Sequence, residues 1–492
     1  MSTAERSAIS PPEEPAGADE PPFYVDRVKV YPQQVAGRFR GLKWAALGGL
    51  LAIYYLVPWI RWDRGPGAPD QAVLIDMPGR RAYFFFIEIW PQEVYYLTGL
   101  LILGAFGLFL VTSVAGRVWC GFACPQTVWT DLYMWVERLI EGDRNRRIKV
   151  DQAPLGLEKA AKKVAKHGAW LLIALATGGA WIMYFNDAPT VVGDLFVGRA
   201  SLAVYGFVGL FSATTYLLAG WAREQLCIYM CPWPRFQAAM FDEHSLLITY
   251  ETWRGEPRGH VRAGTSLAER AAQGGGHCID CGLCVRVCPT GIDIRDGQQL
   301  ACIGCALCVD ACNGVMDRMG WPRDLITYDS LGNQDARAAG GTPGLRLLRP
   351  RVFVYGSLLL LVGAAMAVSL ATRSTVDASV QPDRAPLFVA LTDGRIRNAY
   401  TFKILNKARQ PRSFALSVAG VEDARLDVIG YDSDGRTAEL PVGGDTVGSF
   451  RVLVTVPRAR LAAATTPLTF VVAERATGKV VEDETVFAGP GG

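Results

Sequence analysis

Twelve cysteines dominate the chemistry open to this 492-residue chain, and none of them stands alone. They form two quartets, Cys278-Cys281-Cys284-Cys288 and Cys302-Cys305-Cys308-Cys312, and two pairs, Cys120 with Cys124 and Cys227 with Cys231. Each quartet has the C-x2-C-x2-C-x3-C spacing of bacterial ferredoxins, and Pro289 follows the first. A cubane cluster needs four thiolates around a small convex object. Three cysteines at x2 spacing wrap a loop around one corner, and the fourth comes from the other run, because ligands cross over in two-cluster ferredoxins. Cys278, Cys281, Cys284 and Cys312 are thus assigned to one [4Fe–4S] cluster, and Cys302, Cys305, Cys308 and Cys288 to the other. Zinc also uses x2 pairs, but two full runs exceed what a tetrahedral site asks for. Asn313 stands where a ferredoxin usually has proline, a departure that touches the backbone and not the ligand count. The chain has no dinucleotide fingerprint, C-x-x-C-H haem site or P-loop, so the module reads as a one-electron conduit with its acceptor elsewhere.

The two pairs share the pattern Cys-x3-Cys-Pro, with Pro125 and Pro232 in third place. Proline disfavours helix at the residue before it and favours a helix starting with itself. Cys124 and Cys231 are therefore expected at or next to the N-termini of interfacial helices, where the macrodipole would lower a thiol pKa. Cys120, Cys124, Cys227 and Cys231 then read as nucleophiles or soft-metal ligands, and thiolates select Cu(I), zinc or iron–sulfur. A buried structural role and a transient redox disulfide both stay open. Met230, His244 and His277 read as packing residues, and Trp119, Trp129, Trp135 and Trp233 as an aromatic interface belt.

The elements that must position these residues are mostly membranous. Half the residues are apolar and the net charge is only +3, which gives no footing for nucleic acid. The chain is too long and too apolar for a secreted disulfide scaffold, and its polar start lacks a signal-peptide core. Apolar runs near 42–60, 94–114, 168–185, 202–222 and 352–371 approach or exceed the roughly 17–20 residues that span a bilayer. Loop 115–167 holds ten Lys and Arg while loop 186–201 holds only Arg199, which puts the N-terminus and loop 115–167 in the cytoplasm. Loop 61–93 fits this poorly, since it should lie outside yet carries Arg61, Arg64, Arg80 and Arg81. Helix, paired cysteines and amphipathic stretch occur twice in succession, ending near Ile140 and Phe241, which suggests two half-sites meeting at one place. From about Thr375 short alternating runs between turn residues read as an antiparallel β-sandwich.

The expected fold class is a multi-domain membrane protein: an α-helical bundle of about five spans, a cytoplasmic two-cluster ferredoxin-like module and a C-terminal β-sandwich. The segments are a polar, partly disordered N-terminus (1–41), a four-span region with the first pair (42–222), and the second pair with a connector (223–269). The two-cluster module (270–330), a linker (331–351), the fifth span (352–371) and an external sandwich (375–492) complete the chain.

From about Tyr24 onward the chain resembles the cytochrome c oxidase accessory proteins called CcoG, FixG or RdxA. The resemblance rests on the two Cys-x3-Cys-Pro motifs, the paired ferredoxin runs, Trp321-Pro322-Arg323-Asp324-Leu325-Ile326, the fifth span and Gly394-Arg395-Ile396-Arg397-Asn398-Ala399-Tyr400. It implies a bacterial inner-membrane protein with an Ig-like periplasmic tail and a role in building a cbb3-type oxidase. It implies a cupric reductase in which the clusters supply the electron and Cys120, Cys124, Cys227 and Cys231 handle copper. The implied partners are the lipid membrane, oxidase assembly factors or copper chaperones, and an unidentified electron donor, with a homodimer left open. Two rival readings are a quinol-linked electron-transfer subunit of a periplasmic reductase system and a non-catalytic, redox-sensing assembly scaffold.

Overall fold

The computed structural model describes residues 29–490 except 66, 263 and 462; the disorder expected of the first twenty residues falls outside the described residues. Residues 1–364 and 365–492 form two compact units.

Among the described residues four helical stretches are long and apolar enough to cross a membrane: Arg38–Trp59, Pro91–Ala115 and Leu202–Ala222 in the first unit, and Pro350–Thr372, which runs across the boundary at 364. Their side chains are largely uncovered by protein, as with Leu360 and Leu361 at 74% and 67% exposure, which suits a lipid environment. The remaining apolar run, 168–185, falls almost wholly within a longer helix, Leu157–Met183, whose first third carries Glu158, Lys159, Lys162, Lys163 and Lys166. That charged third is why the helix as a whole differs from the other four. Its apolar part lies along the Leu202–Ala222 stretch, and Gly178 allows the contact: a Cβ there would meet Val208 O at 2.7 Å.

Loop 61–93 is not a loose connection. It forms a three-stranded antiparallel sheet, Val73–Asp76, Arg81–Phe84 and Ile87–Ile89. Three of its arginines are consumed internally or by the neighbouring loop. Arg61 pairs with Asp70 and Asp187, both at 2.6 Å, Arg64 donates to the carbonyls of Pro69, Gln71, Ala72 and Phe85, and Arg81 meets Glu88 at 3.1 Å. Ile75 N also donates to Tyr184 O at 2.8 Å, so loop 61–93 and the far end of helix Leu157–Met183 share one face.

The cluster module starts earlier than 270. Strand Leu247–Tyr250, inside the expected connector, pairs antiparallel with Ile326–Asp329 and closes the module between them. The first cysteine run has only a short helix, Leu283–Arg286, which ends before Cys288 and Pro289. The second run enters a longer helix, Leu307–Met319, that continues through position 313. A proline there would remove an interior hydrogen bond and clash with the preceding turn. Asn313 instead donates to Asp324 Oδ1 at 3.1 Å and accepts from Asp324 N at 2.8 Å, pinning Asp324 in its left-handed conformation (φ 64°).

One contact ties the first membrane helix to this module. Asp310, between Cys308 and Cys312, accepts from Phe39 N at 3.2 Å and Arg40 N at 2.7 Å, two of the orphan amides at the start of helix Arg38–Leu56. Gly37 leaves room for it, because a Cβ there would run into the Asp310 carboxyl. The Arg40 side chain forms a forked pair with buried Asp131 at 2.9 Å.

The second unit is a two-sheet sandwich. One sheet orders Arg425–Val428, Thr446–Pro457, Arg395–Asn406 and Val376–Pro382, with Val389–Ala390 beside Arg395–Asn406; the other orders Thr437–Val442, Arg412–Ala419, Thr465–Glu474 and Val480–Ala488. Alternation sets its core: Ile396, Tyr400, Phe402 and Ile404 point inward from one strand and meet Phe414, Leu416 and Phe470 from the other sheet.

Replacing the Asp310 cap with alanine is expected to cost about 1–2 kcal/mol. Hydrogen exchange should show lost protection at the Phe39 and Arg40 amides. Asp310→Asn, which keeps one acceptor oxygen, should retain part of it.

Candidate functional site

The two cysteine runs surround two cavities. Cys278, Cys281, Cys284 and Cys312 line one. Cys288, Cys302, Cys305 and Cys308 line the other, which Cys284 also borders. All twelve cysteines are unbridged. Among the described residues no three His, Cys, Asp or Glu side chains close on a single-ion point. Thiols that ring a cavity suit a multinuclear cluster better than one zinc ion. The electrostatics agree. Burial pushes the Cys302 and Cys312 thiols up to about 12 and Cys284 up to about 11, and neighbouring thiols add to each shift. Four thiolates so placed need the positive charge that an iron core supplies.

The two membrane-face pairs have matching backbones. Trp119–Ala123 winds as a wide π turn, Cys124 follows in extended conformation (φ −59°, ψ 129°), and Pro125 opens helix Pro125–Glu141. Leu226–Met230 winds the same way, Cys231 follows (φ −80°, ψ 119°), and Pro232 precedes helix Trp233–Met240. Four residues ahead of each first cysteine the chain reverses at a positive φ, Gly116 (58°) and Arg223 (43°). Glycine takes that conformation freely. Arg223 is held in it by Glu137 at 2.7 Å and by its own bond to Gly220 O.

The repeat brings Cys120, Cys124, Cys227 and Cys231 close enough to repel one another as thiolates. Cys120 Sγ lies 3.3 Å from the carboxamide oxygen of Gln237, which is fully buried. Met230 is 65% exposed and points away from any such site. His277 packs against Trp321 and His244 beside Glu243. At Cys124 the lowered thiol pKa expected from the helix dipole does not occur. Burial and then Cys124 push Cys120 up to about 12, burial and Cys124 do the same to Cys227, and burial raises Cys124. Desolvation outweighs one helix end here.

The pairs sit directly against the second cluster cavity. A Cβ on Gly121 would lie 2.9 Å from the Gly304 carbonyl and 3.0 Å from Cys305 Cα, so two bare backbones are in contact. Gly304 has φ 70° and a Cβ on it would press on Arg117. Arg117, buried, donates to the carbonyls of Leu300, Cys302 (2.7 Å) and Pro234 (3.1 Å), joining the first pair, the second pair's helix and the second quartet. On the other flank Cys227 lines a small cavity with Pro289 and Thr290, and Thr290 Oγ1 lies 3.3 Å from Cys288 Sγ. Sequence reasoning missed Arg117, Gln237 and Asp310. Only Asp310 left a trace, a charged residue inside a cysteine run.

Three family models match stretches of the chain. Residues 222–331 match a 4Fe-4S dicluster domain family, 97–147 a 4Fe-4S binding domain family, and 366–490 the Ig-like fold at the C-terminus of FixG. "Nitrogen fixation protein FixG" of Rhizobium meliloti is 48% identical over 90% of this chain and 89% of its own. "Protein RdxB" of Cereibacter sphaeroides is 48% identical over 95% of this chain and 98% of its own, and "Protein RdxA" of the same organism is 48% identical over 89% and 91%.

Two outcomes follow from this geometry. Gly121→Ala should cost about 1–3 kcal/mol by forcing the backbones apart, and should alter the EPR signal of one cluster while iron content holds. In metal-free protein a Cys120 thiol of pKa about 12 should alkylate at pH 8 about 10³-fold more slowly than an unperturbed cysteine. Because the thiolate is the nucleophile, its rate should keep rising above pH 9, where an ordinary cysteine levels off; iodoacetamide labelling read by mass spectrometry checks both.

Proposed function

The chain belongs to the FixG, RdxA and RdxB family, and we propose that it is a membrane iron–sulfur electron-transfer protein that reduces Cu(II) to Cu(I) during assembly of a cbb3-type cytochrome c oxidase. The observation that carries this reading is the backbone contact of Gly121 with Gly304 and Cys305, which sets the Cys120 turn against the second cluster cavity while Cys227 lines the small cavity on its other flank.

Cys278, Cys281, Cys284 and Cys312 would hold one [4Fe–4S] cluster, and Cys288, Cys302, Cys305 and Cys308 the other. The clusters supply single electrons. Cys120, Cys124, Cys227 and Cys231 bind the copper ion as substrate, Cu(II) takes one electron, and Cu(I) is retained by the soft thiolates until a partner accepts it. Gln237 and Arg117 fix the Cys120 turn, and the twin π turns present the two pairs to one another.

The topology we favour has five crossings of a bacterial inner membrane, with the pairs and cluster module on the cytoplasmic side and the tail on the periplasmic side. Helix Leu157–Met183 counts as a crossing because its charged start lies near Asp151 and Glu141 while its end joins loop 61–93 through Tyr184. The arginines of loop 61–93 are no obstacle, since Arg61, Arg64 and Arg81 are already spent on acids and carbonyls. Copper chaperones or oxidase assembly factors are the partners this reading requires.

Cys→Ser at positions 120, 124, 227 and 231 together should abolish copper binding and leave cluster absorbance intact. Adding Cu(II) to the reduced wild type should erase the Cu(II) EPR signal as the clusters oxidise. Unchanged copper binding in the variant, or a persistent Cu(II) signal, defeats the proposal.

A further inference from the structure

A cavity of about 340 Å³ lies where the charged start of helix Leu157–Met183 meets the end of the Leu202–Ala222 span. No cysteine lines it. Trp170 and Trp221 give it aromatic walls, and His167 stands between them and a charged rim. The His167 ring stacks over Trp221 with centroids 6.0 Å apart, and its Nδ1 lies 2.8 Å from Tyr216 Oη.

The charges of the rim cancel one another. Lys29 and Lys163 reach Asp151 at 2.6 and 2.5 Å, Lys166 reaches Glu141 at 3.1 Å, and Arg223 reaches Glu137 at 2.7 Å. A phosphate or carboxylate entering here would have to displace a carboxylate already paired. A neutral ring bearing hydroxyl groups would find the half-exposed Trp221 ring and hydrogen-bond partners at no such cost, Trp170 being already stacked on Tyr133 and covered by Lys166 and Arg223. The position, at the end of a membrane-crossing helix beside an exposed tryptophan, is where amphipathic rings settle in a bilayer.

The cavity is also connected to the redox groups. Arg223 and Glu224 line it and line the smaller cavity that holds Cys227 and Thr290, and Thr290 touches Cys288.

We propose that this cavity binds the headgroup of a membrane quinol, a lipid-soluble para-diphenol, as the electron donor, with His167 accepting a proton from it. The step balances: one quinol breaks two O–H bonds, releases two protons and two electrons and leaves as the quinone, and the two [4Fe–4S] clusters that the quartets would hold could take one electron each. With Nδ1–H donating to Tyr216, His167 Nε2 is the acceptor of the first proton; the second goes to water. The inference rests on the electron-transfer reading and does not involve copper.

The test uses the full chain in micelles under anaerobic conditions. A decyl-substituted benzoquinone should quench tryptophan fluorescence saturably, and the matching quinol should bleach cluster absorbance. His167→Gln should keep quinone affinity within about threefold and slow reduction by quinol about 10²-fold, while dithionite reduces its clusters as fully as in wild type. Trp221→Ala, at a 55% exposed position, should weaken quinone binding about fivefold while dithionite still reduces its clusters fully. Non-saturable quenching, equal quinol rates in wild type and His167→Gln, or displacement of the quinone by one equivalent of anionic phospholipid would each overturn the proposal. Copper enters none of these readings, so loss of copper binding in the four-cysteine variant is a separate outcome.

Discussion

The contact between Gly121 and the Gly304–Cys305 backbone sets the distance between the membrane-face thiols and the cluster module, and much of the first unit serves to maintain it. No side chain could stand there. The surrounding structure replaces the missing packing with buried charge: Arg117 crosses from one backbone to three carbonyls, Arg40 forks onto Asp131, and Glu137 gathers Arg147, Arg223 and Lys166. Removing one partner of such a group typically costs about 3–5 kcal/mol because the other is left buried and charged. These networks therefore act as stiff struts. Burial opposes the charge of Glu137, yet Arg223, Arg147 and Lys166 outweigh it and bring its pKa down to about 2, so the strut stays charged across the working pH range.

The two half-sites are alike in backbone and unlike in charge. Gly116 and Arg223 occupy the same turn, and the residues after them are Arg117 and Glu224. Arg117 favours the thiolate of Cys120, whereas Glu224 disfavours that of Cys227.

Much of this was legible in the residues. Cysteine spacing led to two groups of four, the Pro after each pair led to extended cysteines ahead of helices, and alternation from Thr375 led to a sandwich. Three things could not be read. Helix Leu157–Met183 mixes a charged third with an apolar remainder, so a window on the apolar part misses where the helix begins. The strand Leu247–Tyr250 gains its identity only from Ile326–Asp329, nearly eighty residues on. The thiol pKa values depend on burial and mutual repulsion, which no local spacing reveals, and so the helix dipole was overvalued.

Asp310 has a consequence for how the protein is made. The first membrane helix leaves the ribosome some 270 residues before the carboxylate that caps it. At about 5–20 residues per second that interval is roughly 15–50 s. During that time the amides of Phe39 and Arg40 have only water for partners, and the helix end waits in the interface uncapped. Its completion requires that the second cysteine run has folded into helix Leu307–Met319. Seating of the first membrane helix therefore waits on the folding of the second cysteine run.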